Sequence, residues 1–128
     1  MLSVAHVVVL PWAEVEPVLL ARPDDVGVRP VAEATGLPFD HDAIVAMAVD
    51  AVRAAYAERP DPEGLLAEPF TMRQLRHLHE AVGGRRLVPD SFRRQMLPYL
   101  IDTGRTAEGV VGRPAGLFRK QTEGHADV

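Results

Sequence analysis

Cysteine is absent from the 128 residues, so disulfide frameworks and thiolate zinc sites are excluded and stability has to come from packing. Long apolar runs are absent as well. The longest, from Val7 to Trp12 behind Val4 and Ala5, is far short of the roughly 20 residues that a membrane-spanning helix needs. No basic segment precedes it as in a signal peptide, so a cytoplasmic protein without a membrane partner is expected. The histidines His6, His41, His77, His79 and His125 include no pair at the i, i+4 spacing that places two imidazoles on one helix face. His77 and His79 point apart on a helix, and no metal site or other cofactor is expected.

What remains is a chain long enough for one ordinary core or two small ones, with the apolar fraction of a globular protein. Its net charge of −4 hides a division. Residues 70–120 hold ten cations against four acids, whereas residues 1–69 hold twelve acids against four arginines. Nine of the ten cations are arginine, whose planar fork suits phosphates and guanine edges, so the back half has the electrostatics of a nucleic-acid module.

Local patterns place the elements. Residues 3–10, SVAHVVVL, are β-branched and too continuously apolar for a strand with one wet face, which predicts a central strand. Residues 12–37, interrupted and bordered by Pro11, Pro17, Pro23, Pro30 and Pro38, read as loop with a short strand at 18–21 and one helical turn at 31–35. Asp40 caps a predicted helix to about Glu58, with Ile44, Met47, Ala48, Ala51, Val52, Ala55 and Tyr56 as its inner face. Residues 1–58 form the front segment, and the proline-rich, acidic stretch 59–69 is expected to be a linker.

Behind the linker, residues 70–120 read as a winged helix-turn-helix. Thr71 and Gln74 have the spacing of a capping box, with Phe70 placed to staple onto Leu75. Met72, Leu75, Leu78 and Val82 make the inner stripe, leaving Arg73, Arg76, His77 and Glu80 outside, and Gly83-Gly84 stops the helix. A second helix starts near Asp90 and turns Phe92 and Met96 inward. At about 100° per residue, Asp90, Ser91 and Arg94 then lie on the outer side, with Arg93 on a flank. This is what a recognition helix offers to a major groove. Pro98 ends or kinks it, a strand and a flexible tip follow, and Arg113 stands at the base of the returning strand. Ser91 and Arg94 are the candidate base readers. Thr71, Arg73, Arg85, Arg86 and Arg93 are the candidate phosphate ligands, and Arg113 serves the wing. Residues 121–128 are polar, without period, and expected to be disordered.

The pattern FTMRQLRHLHEAVGGRRLVPDSFRRQML, followed by GVVGRPAGLFR, resembles the C-terminal domain of Nudix-related transcriptional regulators, which share an F-T-[LM]-R-x-L opening, an N/S-F-R-R-[KQ]-[ML]-L helix and a G-R-P-A wing. The front half is similar too: SVAHVVVLP looks like an internal Nudix strand, and LPFDHDAIVAMAVDAVR like the closing helix. The resemblance implies an α+β chain, a winged helix-turn-helix preceded by a partial Nudix-like strand and helix. It further implies a homodimer on a palindromic double-stranded operator, acting as a repressor and responding to ADP-ribose or a related nucleotide. Glu33, His41 and Asp42 are candidate remnants of a nucleotide pocket, although acids near a helix start also serve the helix dipole.

This sequence departs from the family in lacking the glutamate-rich Nudix box, and without those carboxylates no Mg²⁺ cluster can polarise a diphosphate. No enzymatic activity is expected of it. Two other classes stay open at this stage: a fragment of a Nudix hydrolase of the ADP-ribose type, and a protein interaction module that uses the winged fold without nucleic acid. Bland readings also stand beside the sharp ones. A basic helix face can simply be solvated, and Arg94 could pair with Asp90 one turn earlier.

Overall fold

The computed structural model describes residues 5–108 and 113–122. It divides into two compact units, the first ending at Ala54 and the second beginning at Ala55. At the start of the first, expectations for two segments fail. Residues 5–10 form no strand. The described part of this unit contains no other strand, and an isolated one would leave its amides and carbonyls unpaired. Val7 and Val8 stand exposed, and residues 3–4 lie outside the described set.

The second failure is the loop reading of residues 12–21, which form helix α1, Trp12–Ala21. Prolines suggested interruption, yet Pro11 occupies the cap position and Pro17 removes only one hydrogen bond from a run of good helix formers. The Trp12 indole also donates to Glu16 at 2.7 Å. A single 3-10 turn, Val31–Glu33, precedes Gly36, whose φ of 71° is the left-handed geometry that ends such a turn cheaply.

Helix α2 spans His41–Glu58 and stops before Arg59-Pro60 as the sequence predicts. At its start Asp42 does the backbone bonding, accepting from the amides of Gly36 and Leu37 at 2.9 Å each. Its inner face is rotated from the expected one. Met47 is 72% exposed and Ala51 is exposed, whereas Val45 and Val49 join Ile44, Ala48 and Val52 as half-buried residues. Short alanine side chains leave the apolar stripe broad and poorly aimed, so spacing alone does not fix which edge turns inward.

Near the start of the second unit Tyr56 is buried, and the proline-rich stretch 59–69, though mostly exposed, is anchored by buried Pro60 and Asp61. Asp61 is fully buried within this stretch. Strand β1, Phe70–Thr71, leads into α3, Met72–Gly83. The capping box is complete: the Thr71 hydroxyl accepts the Gln74 amide at 3.1 Å and the Gln74 side chain accepts the Thr71 amide at 2.8 Å. Such a cap stabilises a helix by about 1 kcal/mol. Gly84, with φ 71°, ends it.

Helix α4, Pro89–Met96, begins with proline at its first position and is followed by a 3-10 turn, Leu97–Tyr99, around Pro98. Strand β2, Leu100–Thr106, and strand β3, Gly116–Lys120, form the wing, and the antiparallel sheet has the order β1-β3-β2. An irregularity between Asp102 and Thr106 coincides with Gly104 at φ 75°, whose amide bonds the Asp102 carboxylate at 2.8 Å. The wing tip, residues 109–112, lies outside the described set. Phe70, Leu75, Phe92, Met96, Leu100 and Phe118 make the core, with Leu66, Met72 and Leu87 packed against it. Each such side chain contributes roughly 1.5–3 kcal/mol by leaving water.

Gln121, expected to begin a disordered tail, is held in place. The Gln121 amide donates to the Tyr99 carbonyl at 3.0 Å and its side chain to the Pro98 carbonyl at 2.9 Å. Residues 123–128 lie outside the described set.

Candidate nucleic-acid interface

Helix α4 is aimed by contacts on three sides. Phe92 and Met96 are buried in the core. On one flank the Arg93 guanidinium lies over the Phe118 ring, 5.7 Å from its centroid. On the other, the Gln95 side chain donates to the Ala57 carbonyl at 2.6 Å. The remaining arc carries Asp90, Ser91 and Arg94, all exposed, as helical spacing predicts. No ion pair joins Asp90 to Arg94 among the described residues, so the Arg94 fork is open. Asp90 in the first turn and the arginines in the last also complement the helix dipole.

The other candidate ligands divide. Arg73 near the start of α3, Arg85 and Arg86 in the turn, and Arg113 at the wing are exposed. Arg93 is exposed as well, with its guanidinium over the Phe118 ring. Thr71 is a correction: it is buried and its hydroxyl serves the cap, so it does not present itself at the surface. The cations do not all share one face, because Arg119 follows the inward Phe118 on β3 and so points to the opposite side of the sheet.

Arg76 and Glu80 are not outside either. Their side chains are about four-fifths buried, with Arg76 Nε 3.8 Å from Glu80 Oε2 and without a closer acceptor. The same carboxylate oxygen accepts the Leu87 amide at 2.8 Å and ties the turn to α3. In the first unit, Asp42 lines a shallow cleft of about 310 Å³ together with Val31, Thr35, Val49 and Arg53. Glu33 and His41 are not among its walls, and the His41 ring sits 2.6 Å from the Pro38 carbonyl. Among the described residues no cluster of three or more metal-ligating side chains occurs, and no helix is long and apolar enough to cross a membrane.

Sequence reasoning missed a buried polar centre beneath this surface. The Asp61 carboxylate accepts the Tyr56 hydroxyl at 2.7 Å and the amides of Leu65 and Leu66 at 2.9 Å each. The Asp61 amide donates to His79 Nε2 at 3.0 Å, and the Asp61 carbonyl accepts Lys120 Nζ at 2.8 Å. Because Nε2 accepts from an amide, His79 must carry its proton on Nδ1, which donates to the Tyr56 carbonyl at 2.8 Å. The ring sits edge-on between Tyr56 and Phe92, with centroids 4.9 and 5.1 Å away. Its position four residues after Leu75 extends the inner stripe of α3, a signal the sequence did contain.

Burial lowers the His79 pKa below its ordinary 6.5, and the Tyr56 hydroxyl is pushed well above its usual range by burial and by its bond to Asp61. The unfolded chain therefore binds a proton at His79 that the folded chain refuses. The stability this supplies is complete above about pH 6.5 and is lost as the pH falls through the depressed folded value. Thermal unfolding of the chain is expected to show a falling midpoint on acidification below that point. His79→Gln should start lower and lose part of that slope; an unchanged slope would assign the pH dependence to other groups.

A capped helix joined by a tight turn to a second helix, backed by a three-stranded sheet whose last two strands form a wing, defines a winged helix-turn-helix, a class that reads duplex DNA with its second helix. Residues 63–119 match the family model of the NrtR DNA-binding winged helix domain. Solved structures agree. A crystal structure of Shewanella oneidensis NrtR complexed with a 27mer DNA is 32% identical, with TM-score 0.61. A second crystal structure of Shewanella oneidensis NrtR is also 32% identical, with TM-score 0.60. Both matches cover 82% of this chain and 49% of the other, so the chain spans about half the length of these relatives. No curated protein matches it.

Proposed function

We propose that this protein is a sequence-specific DNA-binding transcriptional regulator, acting by binding and not by hydrolysis. The observation that carries the reading is the open outer arc of α4, with Ser91 and an unpaired Arg94, in a segment that matches the NrtR winged helix family model. Arg94 and Ser91 read base edges; Arg73, Arg85 and Arg86 hold phosphates; Arg113 serves the wing. The chain works as a cytoplasmic homodimer on a palindromic operator, as a repressor, with ADP-ribose or a related nucleotide as effector in the front segment. The match to a DNA-bound NrtR supports the first part, and the resemblance to Nudix-related regulators the rest.

The test compares two arginines. Arg94→Ala is expected to cost about 1–3 kcal/mol on a duplex selected by the wild-type chain from random sequence, and to relax base preference at one position. Arg85→Ala should weaken selected and scrambled duplexes alike and reduce the salt slope by about one counterion. Fluorescence anisotropy over a salt series measures both. Identical effects of the two variants on scrambled DNA would refute the division of labour, and no salt-dependent binding to any duplex would leave an interaction module.

A further inference from the structure

The matched family segment begins at residue 63, yet the compact unit begins at Ala55. The difference contains the last turn of α2, Tyr56 to Glu58, and that turn has a specific chemical property. The final four carbonyls of an α-helix have no partner inside the helix. Ala55 is served by the Arg59 amide at 3.2 Å. The next two carbonyls receive side-chain donors from the two helices of the DNA-binding motif: His79 Nδ1 of α3 on Tyr56, at 2.8 Å, and Gln95 Nε2 of α4 on Ala57, at 2.6 Å.

A recognition helix of eight residues, held by Phe92 and Met96 on one stripe, is free to roll about its own axis unless its flanks are tied. Roll decides which side chains face the groove, because neighbouring positions differ by about 100°. One flank tie is Arg93 over Phe118; the other is Gln95 on Ala57. The α2 end is itself fixed, through the Tyr56 hydroxyl on buried Asp61 and through His79, whose ring also touches Phe92 of α4. Adjacent carbonyls of one helix end therefore index α3 and α4 against each other.

We propose that the last turn of α2 is a working part of the DNA reader, with Gln95 as the positioning residue that sets the roll of α4 through the Ala57 carbonyl. Gln95 does its work in the free protein, before any base is met. The proposal rests on the DNA-binding reading above, and its test has one arm that needs no DNA.

Gln95→Met in the full chain keeps length and charge and removes the donor. Native-state hydrogen exchange of the free protein should show the α4 amides exchanging about fivefold faster while those of α3 are unchanged, as expected for loss of one neutral hydrogen bond. On the duplex selected by the wild-type chain, affinity should fall about fivefold or more. A scrambled duplex should bind as before with the same salt slope, because no cation has been removed.

Unchanged α4 exchange in the free variant overturns the proposal, and if specificity still falls, Gln95 is a base reader. Equal loss on selected and scrambled duplexes also overturns it. If the wild-type chain binds no duplex, the DNA reading has failed on its own, while the exchange arm still decides whether Gln95 holds α4.

Discussion

Asp61→Ala is expected to destabilise the winged unit by about 3–5 kcal/mol, the largest effect of any single polar substitution in this chain. Asp61 is fully buried, and its carboxylate takes three donors, the Tyr56 hydroxyl and the amides of Leu65 and Leu66. Truncation would strand all three, and a buried donor without an acceptor costs about 1–3 kcal/mol. The backbone adds to the effect, because Asp61 has φ 39°, a region that alanine tolerates poorly. Asp61→Asn separates the two causes. It suits the backbone and keeps one acceptor oxygen, but turns an amide group toward an existing donor, so an intermediate loss is expected. Urea unfolding of the full chain measures all three proteins, and an alanine variant within about 0.5 kcal/mol of wild type would show that the network does not hold the unit together.

Phe92→Ala should be comparably severe, at about 3–5 kcal/mol. Phe92 is one of two buried side chains on α4 and meets the edge of the His79 ring, so its loss opens a cavity at the one place where the recognition helix, the core and the buried polar centre join. Phe92→Leu retains most of the apolar volume and should cost about 1.5 kcal/mol or less. Binding to the selected duplex is expected to vanish in the first variant and persist in the second. Comparable stability of the two in thermal unfolding would mean that Met96 and the flank contacts alone secure the helix.

What the sequence made legible was short in range. Thr71 and Gln74, Phe70 and Leu75, Gly84, and the Phe92–Met96 pair declare themselves within one or two turns, and each was found where spacing placed it. The residues that lock the unit are distant in sequence. Asp61 and His79 are 18 apart and Asp61 and Lys120 are 59 apart, and no period relates them. An acid between two prolines looks like a linker residue until the fold supplies its donors. The same limit explains the front errors. A strand is a property of a pair, so the apolar run at 5–10 carried no information about a partner. Thr71 was read twice, as cap and as phosphate ligand, and the cap took the hydroxyl. Spacing places Arg93 on a flank of the helix, but only the fold reveals that the Phe118 ring lies under its guanidinium.

The sole lysine of the sequence has its ammonium on the Asp61 carbonyl, inside the framework and not on the proposed groove-facing arc. Acylation chemistry aimed at ε-amines therefore has nothing to neutralise among Arg73, Arg85, Arg86, Arg94 and Arg113. On the proposed reading, the grip on a duplex is tuned by another route than lysine acetylation of that face, and an amine-directed reagent reaching Lys120 would have to break its bond to the Asp61 carbonyl.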